Sequence, residues 1–393
     1  MWGTIICILI SAYSLVSKST TQDFYKFFSN KAIIALSFFL AWTLIQLCLP
    51  TTNDIDASTD SALLGLSFLG MLFLLSIALK SEKTLKHLFN GFIILALIHV
   101  IYGLYIYLSG ENKLLWMDKV FYLDRPTGFF VHPNHFAAYI SLSALLLGSC
   151  LLNENKGNLK SKKIWLLLDN LFEPKFLILL VFLVTLLMTK SIGAIGAGII
   201  SVAGIIVINI IKSQLNKTNL IIIGLIVSCL LLVVFSVDFN IIQKEASGFS
   251  HTFDRRIALS LASWDMLKDH WIFGVGGGSF YSSFSQYRNL DIGNTYYNYA
   301  HNDYLQFWIE YGIAGAVSLV AFIYLALRKN YKILKITNNK YQKSFAITSI
   351  VGTATLAIHS LVDFPLHIPA YSIFYLSILS VNLLVNNDKE NTV

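Results

Sequence analysis

The stretch LFNGFIILALIHVIYGLYIYLS, residues 88–109, runs for 22 residues without Asp, Glu, Lys or Arg. A helix rises about 1.5 Å per residue, so this run can cross the hydrocarbon core of a bilayer, which is about 30 Å thick. Its apolar residues are continuous and do not alternate with polar ones, which argues against a strand of a β-barrel. The stretch therefore predicts a membrane-spanning helix.

The rest of the chain has the same character. Of its 393 residues, 55% are hydrophobic and only 13% are charged, whereas an ordinary soluble protein is about 25% charged. We expect an all-α polytopic membrane protein that forms a single integral membrane domain over residues 1–393. About eleven spans are predicted: 2–17, 31–50, 61–80, 88–109, 135–153, 175–190, 192–211, 219–238, 305–327, 344–362 and 366–386.

Three of these spans have unusual features. The first lacks the basic residues that precede the apolar part of a signal peptide, so we expect a retained helix. The spans 175–190 and 192–211 have almost no connection between them. They fit either a tight hairpin or one helix that is broken at its glycines.

The placement of lysine and arginine predicts the orientation. With the N-terminus outside, most of the 29 basic residues fall in short inside loops such as the one holding Lys80, Lys83 and Lys86, while the acidic loop 51–60 falls outside. The basic residues then fix the topology, and the net charge of +7 does not indicate a nucleic-acid partner.

Neither the cysteines nor the acidic loop indicates a metal site. The cysteines all lie in apolar runs, at spacings that suit no metal: Cys7, Cys48, Cys150 and Cys229. A pair such as Asp54 and Asp56 can bind a metal, but a solvated loop explains it better. We expect no disulfide framework, no metal and no cofactor.

The longest outside loop runs from about 239 to 304 and is rich in aromatic residues, which is not the composition of a disordered segment. Within it, residues 254–269 carry apolar side chains at helical spacing: Ile257, Leu261, Trp264 and Leu267. The segment predicts an amphipathic helix on the membrane surface, with Arg255 and Arg256 at its beginning.

The segment GVGGGSF, residues 274–280, has two readings. It can be a tight turn, or it can be a substrate-facing loop in which the backbone around Gly276 approaches a phosphate. No strand precedes it, so it is not a dinucleotide-binding fingerprint.

The loop closes with HNDYLQFWIEYGIAG, residues 301–315, which places His301 and Asn302 where the chain re-enters the membrane. Glu310 would lie about two and a half helical turns below His301, and a carboxylate there needs a partner. The neighbouring tyrosines can stack on sugar rings or form an interfacial aromatic belt: Tyr296, Tyr297, Tyr299 and Tyr304.

Three further segments fall on the same outside face. RPTGFFVHPNHFAAY, residues 125–139, holds Arg125 and a helix start near Asn134; the turn 189–191 holds Lys190; and VDFPLHIPA, residues 362–370, holds Asp363 and His367. Turn chemistry alone explains each of them. Chance would have scattered them over both faces, so their clustering favours a functional surface.

Four of these segments resemble the bacterial O-antigen ligase and O-antigen polymerase superfamily of membrane glycosyltransferases. They are residues 125–139, residues 269–280 with Arg256 before them, residues 301–315 and residues 361–370. The resemblance covers about 120–375. It implies ten to fourteen helices and a large periplasmic loop, in the bacterial inner membrane, with the active face periplasmic.

The resemblance also implies an activity. Members transfer a glycan from undecaprenyl diphosphate: a ligase to the lipid A core, a polymerase to the next repeat unit, and a third branch to a protein serine or threonine. The family's loop histidine falls on His301 and its loop arginine on Arg256. One position departs from the pattern, because a Ser-Arg-Gly or Ser-Arg-Ala segment of the family reads Ser191-Ile192-Gly193 here. Lys190 or Arg125 would then supply the charge.

A metal-independent mechanism follows. A sugar hydroxyl is a weak nucleophile, so His301 is expected to act as its general base while Arg256 and Arg125 hold the diphosphate. Further residues are expected to bind the donor, namely Arg255, Lys190, Asn134, Asn302 and Gly276, and two to support the site, namely Glu310 and Asp363.

The partners are then the lipid-linked donor, the acceptor and the bilayer. A ligase is the preferred reading over a polymerase or a protein O-oligosaccharyltransferase. A polysaccharide transporter or flippase, and a silent scaffold, are the alternatives from other classes.

Overall fold

A computed structural model gives the fold of residues 18–154, 173–191, 196, 204, 239–288 and 297–385. For residues 18–21, 154 and 239–254 only the backbone is described. Most of these residues are helical and only four lie in strands, so the prediction of an all-α fold is confirmed for them.

The helices are numbered in chain order. They are α1 (Lys18–Phe28), α2 (Lys31–Gln46), α3 (Ile55–Ala78), α4 (Glu82–Ser109), α5 (Pro133–Glu154), α6 (Pro174–Met188), α7 (Phe239–His270), α8 (Phe280–Phe284), α9 (Asp303–Ile336), α10 (Lys340–His359) and α11 (Pro369–Leu384). Two 3₁₀ turns, Ser285–Tyr287 and Pro365–His367, and a hairpin of β1 (Lys113–Leu114) and β2 (Met117–Asp118) accompany them.

Local sequence explains where several helices begin. Asn30 accepts a hydrogen bond from the backbone of Ala32 at the start of α2, and Asp54 accepts one from Ala57 at the start of α3, each at 3.0 Å. These side chains satisfy N–H groups that have no partner inside the helix. Pro174 and Pro369 stand at the first positions of α6 and α11, where proline loses no hydrogen bond.

Eight of the eleven predicted spans coincide with described helices; 2–17, 219–238 and nearly all of 192–211 lie outside the described residues. By length and composition, four described helices can cross a membrane, namely α3, α4, α5 and α9. The pair α1 and α2, bent by 80°, would make a fifth. The membrane fold is therefore supported, and the number eleven stays a prediction.

The chain divides into two compact units. The first comprises the described parts of Met1–Ser81, Asn240–Lys329 and Ile358–Val393, and the second those of Glu82–Phe239 and Asn330–Ala357. Each unit draws on separate stretches of the chain. The prediction of a single integral membrane domain stays a prediction.

The first unit holds the predicted segment 254–269, which lies inside the longer helix α7. Its buried face is formed by Leu259, Ala262, Met266 and Leu267, which pack with the glycine turn and with Ile309 of α9. Three of the four predicted apolar residues, namely Ile257, Leu261 and Trp264, are exposed on this helix. An exposed apolar stripe suits a lipid surface, and that location stays a prediction.

In the same unit, α9 is interrupted at Gly312, which has φ 62° and ψ −172°. The interruption leaves backbone groups without partners inside the helix, and the segment 272–276 satisfies them. Val275 and Gly276 donate to the carbonyls of Ile309 and Glu310 at 3.0 Å, and Ile313 donates to Ile272 at 3.2 Å. The glycine turn and the helix break therefore form one structure.

In the second unit, α5 packs against both α4 and α6. Every residue of its most apolar stretch of 18 residues is buried. Small and polar residues line the contacts of α5: Ser149 donates to the Ser344 carbonyl of α10 at 3.4 Å, and Gly148 faces Leu179 of α6. The central position of α5 explains why this span has polar residues such as Ser141 and Ser143 that bond back to its own carbonyls.

Candidate functional site

His301 stands immediately before α9, with a left-handed backbone (φ 51°) that turns its ring towards the segment after α10. Its Nδ1 lies 3.8 Å from Oδ1 of the buried Asp363. The other oxygen of this carboxylate lies 3.3 Å from Nε2 of His359. One carboxylate thus lies between two imidazoles, and the His301 ring also meets the Phe364 ring edge-on at 4.7 Å.

Arg256 reaches the same place from α7. Its guanidinium donates a hydrogen bond to the carbonyl of Val362, the residue before Asp363. Arg255 is exposed, and neighbouring residues on a helix point about 100° apart. The structure therefore brings Arg256, and not Arg255, to the segment that contacts His301.

Asn302 fixes the beginning of α9 to that segment. Its side chain accepts a hydrogen bond from Leu305 at 3.1 Å and donates one to the Leu361 carbonyl at 3.3 Å. The backbone of Asp303 also donates to the Ser360 carbonyl at 3.0 Å. Asn302 was predicted to bind the donor, and in this structure its side chain holds the helix start against the segment after α10.

A second buried cluster lies beside the first. The Asp303 carboxylate contacts His367 Nδ1 at 2.7 Å and accepts hydrogen bonds from Ser360 and from the Leu366 backbone. On the other side of the ring, His367 Nε2 lies 3.4 Å from Oε2 of Glu310. Burial by itself lowers the pKa of His367, but the charges of Glu310 and Asp303 outweigh it, and the pKa rises to about 9.

The buried carboxylate of Glu310 therefore has the partner that its burial requires. Besides His367, its carboxylate accepts a hydrogen bond from Gln306 at 2.9 Å, and Gln306 in turn accepts one from the Ala300 backbone. Because Ala300 precedes His301, this chain of contacts links Glu310 to the histidine loop.

The tyrosines of the loop take different positions. Tyr299 stacks on Phe364 with ring centres 4.1 Å apart, and burial together with the charge of Glu310 raises its pKa. Tyr297 meets the His301 ring edge-on at 6.5 Å, and Tyr304 is exposed. Tyr296 lies outside the described residues. Both readings of these tyrosines stay open.

Gly276 is a structural part of its turn. Its N–H donates to the Glu310 carbonyl, and with φ 97° a side chain there would overlap Ser58. The tight-turn reading of GVGGGSF accounts for these contacts. A phosphate contact at Gly276 stays a prediction.

Arg125 and Lys190 come together in the second unit, around Asp124. Lys190 Nζ lies 3.3 Å and Arg125 Nε 3.9 Å from the Asp124 carboxylate, and Arg125 also donates to the Lys190 carbonyl at 3.5 Å. Lys119 donates to the Arg125 carbonyl at 2.8 Å; burial lowers the pKa of this amine, against the charge of Asp124.

Asn134 belongs to the same unit. Asn134 is the second residue of α5, and its backbone donates to the His132 ring at 3.1 Å. Ile192 and Gly193, where the family arginine would stand, lie outside the described residues. Lys190 precedes them in a turn with φ 51°.

The sequence did not point to three residues that the structure brings to the site: Asp303, His359 and Gln306. Asp303 was visible as the third residue of HNDY. His359 precedes Asp363 by four residues, a spacing that carries no signal where a helix ends between them.

Within the described ranges, no group of three or more His, Cys, Asp and Glu side chains is placed to hold a metal ion. The reason is geometric at His367, since its two carboxylate neighbours reach opposite nitrogens of the ring. Asp303 and Glu310 therefore lie on opposite sides of the imidazole ring and cannot bind one ion together with it.

With this geometry described, the comparison with known families is informative. Residues 177–320 match the family model of the O-antigen ligases. The matched range contains Arg256, the glycine turn, His301 and Glu310, and it confirms over this stretch the predicted resemblance to the O-antigen ligase and polymerase superfamily. It supports, broadly, an enzyme of the membrane glycosyltransferase type that acts on glycan-linked lipids. No curated protein matches the chain.

Proposed function

We propose that this protein transfers a glycan from undecaprenyl diphosphate to an acceptor hydroxyl on the periplasmic face of the bacterial inner membrane. The acceptor that fits the ligase reading is the lipid A core. The observation that carries the proposal is the meeting of His301, the buried Asp363 and Arg256 at one segment. A base, a carboxylate beside it and a fixed cation suit this transfer.

His301 is the proposed general base. We assign the proton of the neutral imidazole to Nδ1, which lies 3.8 Å from the Asp363 carboxylate, so that Nε2 accepts the hydroxyl proton. The hydroxyl oxygen then forms a bond to the anomeric carbon while the bond from that carbon to the phosphate oxygen breaks. The proton ends on His301, whose charge the Asp363 carboxylate stabilises, and the electron pair leaves with undecaprenyl diphosphate.

Arg256 is the proposed partner of the leaving diphosphate. Towards the described residues, one of its N–H groups is used on the Val362 carbonyl, and since a guanidinium has five, others can bind phosphate oxygens. Guanidinium matches phosphate geometry and keeps its charge at any working pH. The donor-binding roles of Arg125 and Lys190, which share Asp124 in the second unit, stay predictions.

The test is complementation of a deletion in the native host. Wild type, His301→Ala and Asp363→Asn are expressed to equal levels, and surface glycans are separated on a gel. We expect His301→Ala to lower transfer by roughly 10²-fold or more, because general base catalysis contributes about 10²–10⁴-fold. Asp363→Asn should lower it less.

The products separate the possible reactions. Long glycan missing from lipid A while polymer accumulates on the carrier identifies a ligase. Lipid A capped with one repeat unit identifies a polymerase, and loss of glycan from protein identifies the third branch. Full complementation by His301→Ala would show that the histidine loop is only structural and would refute the proposed site.

A further inference from the structure

The connection between α4 and α5 carries a hairpin with an apolar tip. The first cross-strand pair of β1 and β2 is Lys113 opposite Asp118, the next pair is apolar, and the turn consists of Leu115 and Trp116. Two-residue turns of this kind normally hold Asn, Asp or Gly. The hairpin thus changes from charged to apolar towards its tip.

The side chains at the hairpin tip are exposed. Trp116 is 85% exposed, and Met117, Val120 and Phe121 around it are exposed as well. Leu115, also exposed, is held at φ 56°, a backbone conformation that side chains disfavour. Strain and large exposed apolar groups in one turn indicate a surface that meets a partner.

Two tyrosines of α4 define the direction in which the hairpin runs. Tyr105 Oη donates to Glu111 at 3.3 Å, and Tyr102 Oη accepts a hydrogen bond from the Leu115 backbone at 2.6 Å. Tyr102 lies about one helical turn before Tyr105. The chain therefore folds back along α4, and its tip lies level with a residue about 10 Å before the helix end at Ser109.

The level of Tyr102 coincides with the first turn of the neighbouring helix α5. Gly103, next to Tyr102, faces Phe136 in the first turn of α5 so closely that an added Cβ would lie 3.2 Å from the ring. Both α4 and α5 are long and apolar enough to cross a membrane. The hairpin tip thus lies level with the first turn of α5, at one end of that apolar helix.

We propose that Leu115, Trp116 and Met117 insert into the adjacent leaflet of the bilayer, at the boundary between headgroups and acyl chains. Tryptophan is enriched at this depth because its ring is apolar and its N–H is polar. The Lys113–Asp118 pair and Glu111 then lie among the headgroups. The exposed apolar face of α4, which includes Ile98 and Ile101, would continue the same lipid-facing surface. This interaction is independent of the proposed transfer reaction.

The depth of the tip can be measured directly. Nitroxide labels are placed on Trp116→Cys and Met117→Cys in a protein whose native cysteines are replaced by alanine, reconstituted in nanodiscs of phosphatidylethanolamine and phosphatidylglycerol. Collisions with oxygen, which enters lipid, and with a water-soluble nickel chelate are compared by power saturation. Ile101→Cys on the exposed face of α4, next to Tyr102, and Glu111→Cys at the hairpin base serve as references.

We expect both tip labels to collide several-fold more with oxygen, relative to nickel, than the label at position 111. A tip label that resembles the label at position 111 lies no deeper than the hairpin base, and a tip label protected from both reagents is covered by protein. Either result would overturn the proposal. Because two labelled positions are used, failure of one variant to fold leaves the other as the test.

Discussion

At the scale of single residues, the two neighbouring arginines of α7 provide a sharp comparison. Arg256 is bonded to the Val362 carbonyl beside Asp363, whereas Arg255 is exposed. We expect Arg256→Gln to lower transfer by roughly 10²-fold, the usual effect of removing one donor that stabilises developing charge. Arg255→Gln should leave transfer nearly unchanged, and the rates are compared in membranes that contain equal amounts of protein.

Equal effects of the two substitutions would contradict this assignment, because a general positive surface would then explain both. Arg256→Lys is a useful third variant. Lysine keeps the charge and loses the planar pair of donors, so it should recover only part of the activity.

His367 makes a prediction about pH. Its pKa of about 9 lies above the ordinary value of 6.5, so its stabilising contribution is complete below about pH 6.5 and is lost as pH rises through 9. The charged groups that face it are Asp303 and Glu310, and the nearby Tyr299 has a raised pKa and titrates later. We expect the melting temperature of wild type to exceed that of His367→Gln at pH 6.5, with the difference shrinking towards pH 9.5.

The control is His87→Gln, a change at an exposed histidine, which should leave the pH dependence of the melting temperature as it is in wild type. A constant difference between wild type and His367→Gln over this range would mean that His367 is neutral in the folded protein.

Individual residues show what the sequence could predict about the site. His301, Arg256, Glu310 and Asp363 were identifiable by residue type and motif. Their arrangement was not, because His301 and Asp363 come together only after α9 and α10 have intervened. The pairing of Glu310 with His367 likewise joins two segments that share no local pattern.

At the scale of elements, the glycine turn and the α9 break make a prediction about stability. Gly274 has φ 75°, and a side chain there would overlap the Glu310 carbonyl oxygen. A strained backbone and an overpacked contact cost about 1–3 kcal/mol each, so Gly274→Ala should lower the free energy of unfolding by about 2 kcal/mol or more. Heat denaturation in detergent measures this.

Gly91 is the matched control, because it lies within α4 and an added Cβ would meet nothing within 4 Å. Gly91→Ala should be harmless or slightly stabilising, since alanine favours helices. If both alanine variants melt like wild type, the turn is more adaptable than its contacts indicate.

The helices were the most predictable elements, because an apolar run is a local property of the sequence. The amphipathic segment was predicted less well. Its helical spacing was right, but Ile257, Leu261 and Trp264 are exposed, and Leu259 and Met266 are buried. Two apolar faces exist on this helix, and only tertiary packing decides which one the protein covers.

At the scale of the whole molecule, the placement of basic residues predicts that the two ends of α4 lie on opposite sides of the membrane. Glu82 and Glu111 flank this helix and are both exposed. In a cysteine-free background, Glu111→Cys should react with a membrane-impermeant maleimide in cells with a permeable outer membrane. Glu82→Cys should react only after the inner membrane is opened.

The reverse labelling pattern would show that the predicted orientation is wrong and that the His301 segment faces the cytoplasm. Labelling of both positions from outside would mean that α4 does not cross the membrane at all. Each result would remove the basis for a periplasmic reaction.

The interruption of α9 at Gly312 has a consequence for how such proteins diversify. The carbonyls of Ile309 and Glu310 accept their hydrogen bonds from the turn at Val275 and Gly276, so neither segment is complete without the other. Natural recombination between related chains would therefore conserve these two segments as a pair. A chimera that imports residues 272–278 alone should fold poorly, whereas one that also imports residues 303–313 should recover.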